Sequence, residues 1–184
     1  MTKNILILAI SAFVATPAAA QEFGFAIGVH QTSADVGTAN TTVDSKRGFK
    51  FGGNVGFELG EGMKFRSGLL YNQRHFESTS GTVTTKYNFD YLDVPANFQY
   101  NINEMVGFYG GLIIAVNVKD DVKVSNVTVI DADADTLIPI ANAGVNLTFS
   151  DMIGFDFYYE RGLGDVANNV KDFSTFGANF LYWF

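Results

Sequence analysis

Hydrophobic and polar residues alternate one by one along most of the chain, in short stretches separated by polar or glycine-rich segments. Strict period-two alternation predicts β-strands with one apolar face. The clearest stretch is Asp172–Phe184. Its apolar face consists of Phe176, Ala178, Phe180, Tyr182 and Phe184. An edge strand this aromatic is prone to aggregate in water, whereas a closed barrel in lipid has no free edge and requires an apolar outer face.

The same alternation predicts seven further strands. We place them at about Glu22–Gln31, Gly48–Leu59, Met63–His75, Asn88–Ile102, Val106–Val118, Leu137–Phe149 and Ile153–Leu163. The fourth is the least regular, because Tyr87, Phe89 and Tyr91 lie in the opposite phase to the apolar residues that follow. Either a β-bulge shifts the register there or these rings lie above the lipid. Pro95 removes one ladder donor, which also fits a local irregularity.

The connections between these strands alternate between short and long. Short turns are expected at Gly60–Gly62, Asn103–Glu104 and Ser150–Met152. Long loops are expected at Thr32–Arg47, Phe76–Lys86, Lys119–Thr136 and Gly164–Lys171. Short turns at one end and long loops at the other are typical of an antiparallel up-and-down barrel in the outer membrane, with both termini on the periplasmic side.

The polar face of the strands distinguishes a membrane barrel from a soluble one. Glycine, asparagine and alanine fill that face between its charges, as a narrow barrel interior requires. We therefore predict an all-β fold: one eight-stranded antiparallel transmembrane β-barrel of the outer-membrane type. Aromatic residues near the strand ends are candidates for the interfacial girdles, namely Tyr71, Tyr100, Tyr159, Tyr182 and Trp183.

The predicted lumen carries four basic and four acidic side chains. These are Lys50, Lys64, Arg66 and Arg74 against Glu58, Asp93, Asp156 and Glu160. Unpaired charges in a narrow interior are costly, so we predict a paired network that plugs and orders the barrel core. A narrow pore that opens when the ion pairs exchange partners is the alternative.

Four segments resemble a known family. YLDVPANFQYNI (Tyr91–Ile102), GFYGGLIIAV (Gly107–Val116), YYERGLGDV (Tyr158–Val166) and the final NFLYWF are similar to segments of the PorT-like outer-membrane β-barrel domain family. The resemblance implies architecture and carries no catalytic residues. The end of the chain also resembles the C-terminal signature of bacterial outer-membrane barrels, which implies recognition by the barrel-insertion machinery. That signature consists of Phe176, Phe180, Tyr182 and Phe184.

The first twenty residues have the pattern of a secretory signal peptide. Lys3 precedes an apolar run, Ile5–Val14, and small residues end at Ala20. We expect residues 1–20 to be cleaved and residues 21–184 to form the barrel. Cleavage removes one of the 12 basic residues and none of the 19 acidic ones, so the formal charge moves from −7 to −8. This acidity argues against a nucleic-acid partner, and the absence of cysteine excludes disulfides, thiolate metal sites and a lipoprotein anchor.

Two patterns invite chemistry. His30 and His75 lie near the predicted outer rim, with Thr32, Ser33, Glu77 and Ser78 close in sequence, and such a set could deacylate lipid A. However, neither histidine has the His-x-Ser spacing of barrel lipid A deacylases. Asp131-x-Asp133-x-Asp135 suggests calcium, but Thr136 and Asn142 stand where an EF-hand needs glycine and glutamate. We expect a solvated acidic loop there, and no metal or cofactor.

Taken together, the sequence predicts a non-enzymatic barrel in the bacterial outer membrane. Its partners are expected to be outer-membrane lipid, the insertion machinery, and a protein or surface ligand held by the outer loops. A pore and, less favoured, a lipid A-modifying enzyme are the alternatives.

Overall fold

A computed structural model describes residues 21–37, 41–125, 127–129, 136–165 and 170–184. These residues form nine strands: β1 (Gln21–Val36), β2 (Thr41–Gly60), β3 (Met63–Ser80), β4 (Val83–Asn101), β5 (Val106–Val124), β6 (Val127–Val129), β7 (Leu137–Ser150), β8 (Ile153–Gly162) and β9 (Val170–Trp183). None of the described segments is a helix long and apolar enough to cross a lipid bilayer. The predicted signal peptide and the acidic Asp131–Asp135 segment lie outside the described residues.

Eight of the strands close into a ring, and each pairs antiparallel with its neighbours. β1 pairs with β9 on one side and β2 on the other, while β5 pairs with both β4 and β7. The three-residue β6 pairs only with the C-terminal end of β5, at Val122–Val124. The predicted eight-stranded antiparallel barrel is therefore confirmed. Both described chain ends and three short turns share one end, which is the periplasmic end by the rule for outer-membrane barrels; the opposite end is the outer end.

The outward face of the ring is an apolar belt. Phe25, Ile27 and Val29 of β1 are 45–56% exposed, and Phe176 of β9 is 65% exposed. Inward-facing residues of the same strands, such as Ala26 and Thr32, are buried. On β9 the belt covers the nine residues from Phe176 to Phe184, about the 9–11 that a tilted membrane-spanning strand needs.

Several strands are far longer than the belt. β2 has 20 residues, and β3, β4 and β5 have 18 or 19. The surplus lies at the outer end and forms a β-structured rim, which we call the outer extension: residues 31–36, 41–48, 73–90 and 119–124. Much of the predicted loops Thr32–Arg47, Phe76–Lys86 and Lys119–Thr136 is therefore strand. β3 and β4 meet in a tight turn at Gly81 and Thr82, where Gly81 has a φ of 60°.

Polarity reverses between the belt and the outer extension. Phe89 and Tyr91 of β4 point inward and are fully buried, in the same phase as Asp93. The register between β4 and β5 shifts between Asp90 and Tyr91, where Val118 of β5 has no partner opposite. A bulge is thus present, and it lies on β5. Beyond it the strands face water outside, so their apolar residues turn to the interior.

The lumen as candidate functional site

The outer end of the lumen is closed by a cluster of apolar side chains, which we call the outer apolar cap. Its buried members are Phe76, Phe89, Tyr91, Ile113, Ala115, Val122, Ile138, Ile140, Val170 and Phe173. Most are at most 2% exposed. Phe76 and Phe89 lie with ring centroids 6.1 Å apart, and Phe89 meets Tyr91 edge to face at 6.4 Å. The cap fills the outer end of the interior, from the upper part of the lipid belt, where Ile113 lies opposite Pro95, into the outer extension.

Directly beneath the cap lies a group that we call the upper ion cluster: Lys50, Arg74, Asp93 and Glu160. Arg74 donates two hydrogen bonds to Asp93, at 2.9 and 2.8 Å, and one to Glu160 at 2.9 Å. Lys50 is paired with the other oxygen of Glu160. All four residues are 0–2% exposed. Charges this deeply buried are stable only when paired and hydrogen-bonded, and here two positive charges balance two negative ones.

Aromatic and amide groups hold the upper ion cluster in place. Tyr91 and Phe173 of the cap lie 5.2 and 5.0 Å from the Arg74 guanidinium, measured to their ring centroids. The Lys50 ammonium lies 4.2 Å from the Tyr158 ring centroid. Asn72 donates to Asp93 at 2.7 Å. Cation–π contacts in a desolvated site add to the ion pairs, so cap and cluster form one packed unit.

Further toward the periplasm, Arg66 and Asp156 form a second ion pair. Two nearly parallel hydrogen bonds of 3.2 and 2.7 Å join the guanidinium to the carboxylate. Arg66 also donates to Gln99 at 2.9 Å, and Asn146 donates to Asp156 at 2.8 Å. The fork geometry suits a buried arginine–carboxylate pair and fixes both side chains across the lumen.

The periplasmic end opens into a polar cavity of about 270 Å³, which we call the vestibule. Its walls include Glu22, Lys64, Asn101, Thr148, Asp151 and Trp183. Lys64 pairs with Glu22 at 2.7 Å and with Glu58 at 3.6 Å. Trp183 faces this cavity, with its ring centroid 5.7 Å from the Lys64 ammonium. Its expected place in an interfacial girdle is therefore wrong, because the odd-numbered residues of β9 from Phe173 to Trp183 point inward. Tyr71, Tyr100, Tyr159 and Tyr182 belong to the outward face.

The eight charged residues singled out in the sequence thus fall into three levels. Lys50, Arg74, Asp93 and Glu160 meet in the upper cluster, Arg66 and Asp156 form the lower pair, and Lys64 and Glu58 lie at the mouth. Sequence reasoning missed Glu22, the nearer partner of Lys64. Its inward position on β1, in phase with Gly24 and Ala26, was the available signal.

The comparisons with known proteins agree with this architecture. Residues 19–168 match the family described as "Outer membrane protein beta-barrel domain". The chain belongs to this family. Neisserial surface protein A (NspA) is similar in structure, with a TM-score of 0.61 and 16% identity over 88% of this chain and 97% of that one. Ail, the attachment invasion locus protein of Yersinia pestis, is also similar in the structure crystallised with the heparin analogue sucrose octasulfate. Its TM-score is 0.51 and its sequence identity is 18%, over 89% of this chain and 99% of that one. No curated protein sequence matches the chain.

Membership of this outer-membrane family locates the protein in the bacterial outer membrane. The apolar belt is then the surface that contacts lipid. Three residues of the predicted insertion signature lie on the outward face of β9, and the fourth, Phe184, directly follows this strand and is 75% exposed.

The two histidines of this outer-membrane barrel lie on opposite sides of its wall. His30 faces the lumen, where its Nε2 is 2.6 Å from the carbonyl of Gln73. His75 faces outward, 3.3 Å from Asp90. Thr32 is hydrogen-bonded to Thr175 at 2.9 Å. The structure therefore does not bring the candidate residues into one site, and within the described residues no group of three His, Cys, Asp or Glu side chains is arranged to hold a metal.

Proposed function

We propose that the protein is a non-enzymatic outer-membrane barrel whose plugged lumen stabilises it and whose outer extension binds a protein or surface ligand. The observation that carries this proposal is the closed lumen. The upper ion cluster is 0–2% exposed and lies beneath the outer apolar cap. A conducting path would have to pass both, and dry apolar constrictions oppose ion entry.

The outer extension supports the second half of the proposal, because it is built of paired strands. Across β2 to β5 its outward face carries a row in register: Asp44 opposite Glu77, Glu77 opposite Lys86, and Lys86 opposite Lys123. A rigid sheet surface with charges of both signs suits recognition of a charged surface ligand or protein. Ail provides a parallel, since it was crystallised with a sulfated sugar; we propose that the outer extension is the binding part here, with ligand chemistry of its own.

The proposal includes three points from the sequence. Residues 1–20 act as a cleaved signal peptide, and Phe176, Phe180, Tyr182 and Phe184 serve as the insertion signal. The PorT-like resemblance marks the branch of outer-membrane barrels to which the chain is related. Each rests on sequence pattern alone.

Single-channel conductance tests the plugged lumen. The refolded protein, checked for heat-modifiable migration on a gel, is inserted into a planar bilayer. We expect no steady current. A Phe89→Ala/Arg74→Ala variant, which removes parts of the cap and the cluster, serves as the control for an opened lumen, provided that it still migrates as a folded barrel. Steady current through the unmodified protein that changes with Arg66→Ala would overturn the proposal in favour of the narrow pore.

The enzymatic alternative has its own readout. Lipid A from cells that express the protein is compared with lipid A from cells that express His30→Ala or His75→Ala variants. Lipid A that is identical in all three and in cells without the protein agrees with a binding barrel. Modified lipid A that is lost with either variant would replace the proposal.

A further inference from the structure

A small chamber lies in the middle of the lumen, between the upper ion cluster and the Arg66–Asp156 pair. Its volume is about 30 Å³. Lys50 and Glu160 line it from the outer side, and Arg66 and Asp156 line it from the periplasmic side. Its remaining polar wall consists of Asn54, Ser67, Asn97, Tyr109, Asn142, Tyr158 and Asn179.

Four buried polar atoms of this wall have no hydrogen-bond partner among the described residues. They are the Oδ1 atoms of Asn97, Asn142 and Asn179 and the hydroxyl of Tyr158. Asn97 and Asn179 are 7% exposed and Tyr158 is 3% exposed. Nearly all buried polar groups in folded proteins have a partner, and an exception calls for an explanation such as a bound water or ion. Four exceptions around one cavity therefore indicate a hydrogen-bonding occupant.

The charges around the chamber select a neutral occupant. The upper ion cluster contains two positive and two negative groups, and the lower pair contains one of each. No net charge is left for an ion to compensate. Carboxamides and a phenol hydroxyl can each donate and accept a hydrogen bond, and water does both.

We propose that this mid-lumen chamber is a binding site for about two ordered water molecules, which complete the hydrogen bonds of the three asparagines and Tyr158. The number follows from the volume, because a buried water needs roughly 10–15 Å³ of such space. These waters would link the two ion-pair levels and keep the amides fixed across the lumen.

The two ends of the chamber differ in how they admit water. On the outer side stands the upper ion cluster, and above it the apolar cap. On the periplasmic side only the level of Arg66, Asp156, Gln99 and Asn146 separates the chamber from the polar vestibule. Arg66 and Asp156 line the chamber, and Arg66 lines the vestibule as well. The chamber waters therefore exchange with the periplasm through the Arg66–Asp156 pair.

Nuclear magnetic resonance in lipid nanodiscs tests the site directly. The protein is deuterated and carries ¹⁵N-labelled asparagine and labelled isoleucine methyl groups. We expect cross-peaks to water from the side-chain amides of Asn97, Asn142 and Asn179 and from the methyl groups of Ile113, which lines the chamber. Ile138 is a matched control, because it is a cap isoleucine of similar burial, 1% exposed against 2%, that does not line the chamber. Absence of water contacts at both the asparagines and Ile113 would overturn the proposal.

The route by which water enters the chamber is tested separately by cysteine labelling. The chain has no native cysteine, so an introduced cysteine is the only thiol that can react. Asn142→Cys is exposed to a small methanethiosulfonate ammonium reagent, alone and together with Arg66→Ala. We expect labelling to be at least tenfold faster in the Arg66→Ala background, whereas Ile140→Cys in the cap stays slow in both. Equal labelling rates of Asn142→Cys in the two backgrounds would overturn the route through the ion pair. Neither test depends on whether the lumen conducts, so failure here and failure of the proposed function are distinguishable.

Discussion

The charged side chains that fill the lumen act in pairs, because each of them contacts an oppositely charged partner. Arg66 is 8% exposed and joins Asp156 by a two-fold hydrogen-bonded contact. Removal of one partner leaves the other buried and uncompensated, which is the costly case for buried ion pairs. Removal of both partners avoids that penalty. The pair is therefore best measured by a double-mutant comparison.

We expect Arg66→Ala to lower the free energy of unfolding by about 3 kcal/mol, since Asp156 would remain buried without its partner. Heat modifiability on gels, followed as a midpoint temperature, measures the effect. The control is Lys46→Ala, because Lys46 pairs with Glu77 at 3.0 Å at the exposed rim and should shift the midpoint little. The Arg66→Ala/Asp156→Ala variant should lose less than the sum of the single changes; full additivity, or an unchanged midpoint in Arg66→Ala, would contradict a structural pair.

Two glycines on paired strands separate interior packing from the lipid face. A Cβ at Gly144 would come within 2.6 Å of the Tyr109 hydroxyl, because this ring lies over Gly144 inside the lumen. A Cβ at Gly110 would meet its nearest neighbour at 3.5 Å, an ordinary contact. Gly144→Val should therefore destabilise the barrel by roughly 1–3 kcal/mol through overpacking. Gly110→Val should be neutral or stabilising, since valine suits a strand. Equal midpoints for the two variants would argue against the packed interior.

At the scale of the strand, each long strand faces lipid along one part of its length and water along the other. The side of the strand that carries the apolar residues changes where lipid gives way to water. On β4, Leu92, Val94 and Phe98 face lipid below, whereas Tyr87, Phe89 and Tyr91 face the interior above. A single hydrophobic phase cannot describe such a strand. The membrane-spanning parts could be predicted from alternation, because lipid outside and a filled polar lumen inside impose one consistent phase.

The outer extension could not be predicted in the same way. Segments such as 76–86 are rich in serine and threonine and have no apolar outward face, so their pattern predicts loops. They are strands because each pairs with a neighbour, for example Thr79 with Thr84, and cross-strand pairing cannot be seen in one sequence. The partners within the lumen had the same limit. The inward phase identified Arg66 and Asp156 as lumen residues. That Arg66 of β3 pairs with Asp156 of β8 across the barrel became visible only in the folded structure.

The length of the hairpins predicts which residues reach the cell surface. Thr82 lies in the turn between β3 and β4 at the outer end, and Asp151 lies in the turn between β7 and β8 at the other. Both are exposed, and the chain has no native cysteine. We expect a membrane-impermeant maleimide to label Thr82→Cys on intact cells and Asp151→Cys only after the outer membrane is permeabilised. Labelling of Asp151→Cys on intact cells would reverse the orientation.

At the scale of the whole molecule, the barrel combines two interiors. Below, charged and amide side chains fill a lumen surrounded by lipid; above, an apolar cap fills a ring surrounded by water. The lower part can be stable only within a membrane and the upper part only above one, so the position of the barrel in the bilayer follows from its own polarity. Strand β9 closes the ring, since it pairs with both β1 and β8. Ring closure therefore depends on the insertion of β9 between these two strands.

Phe184 tests whether the last strand also carries an assembly signal. Its side chain is 75% exposed and its backbone N–H donates to Phe23 at 2.8 Å, a bond that alanine would keep. Phe149, 62% exposed near the same end, offers a matched lipid-facing aromatic outside the signature. If Phe184 is read by the insertion machinery, Phe184→Ala should reduce assembled barrel in cells several-fold more than Phe149→Ala, while the two purified variants refold with similar midpoints. Equal assembly of the two variants in cells would mean that Phe184 contributes only apolar area, because Phe184 and Phe149 contribute similarly to the stability of the folded barrel.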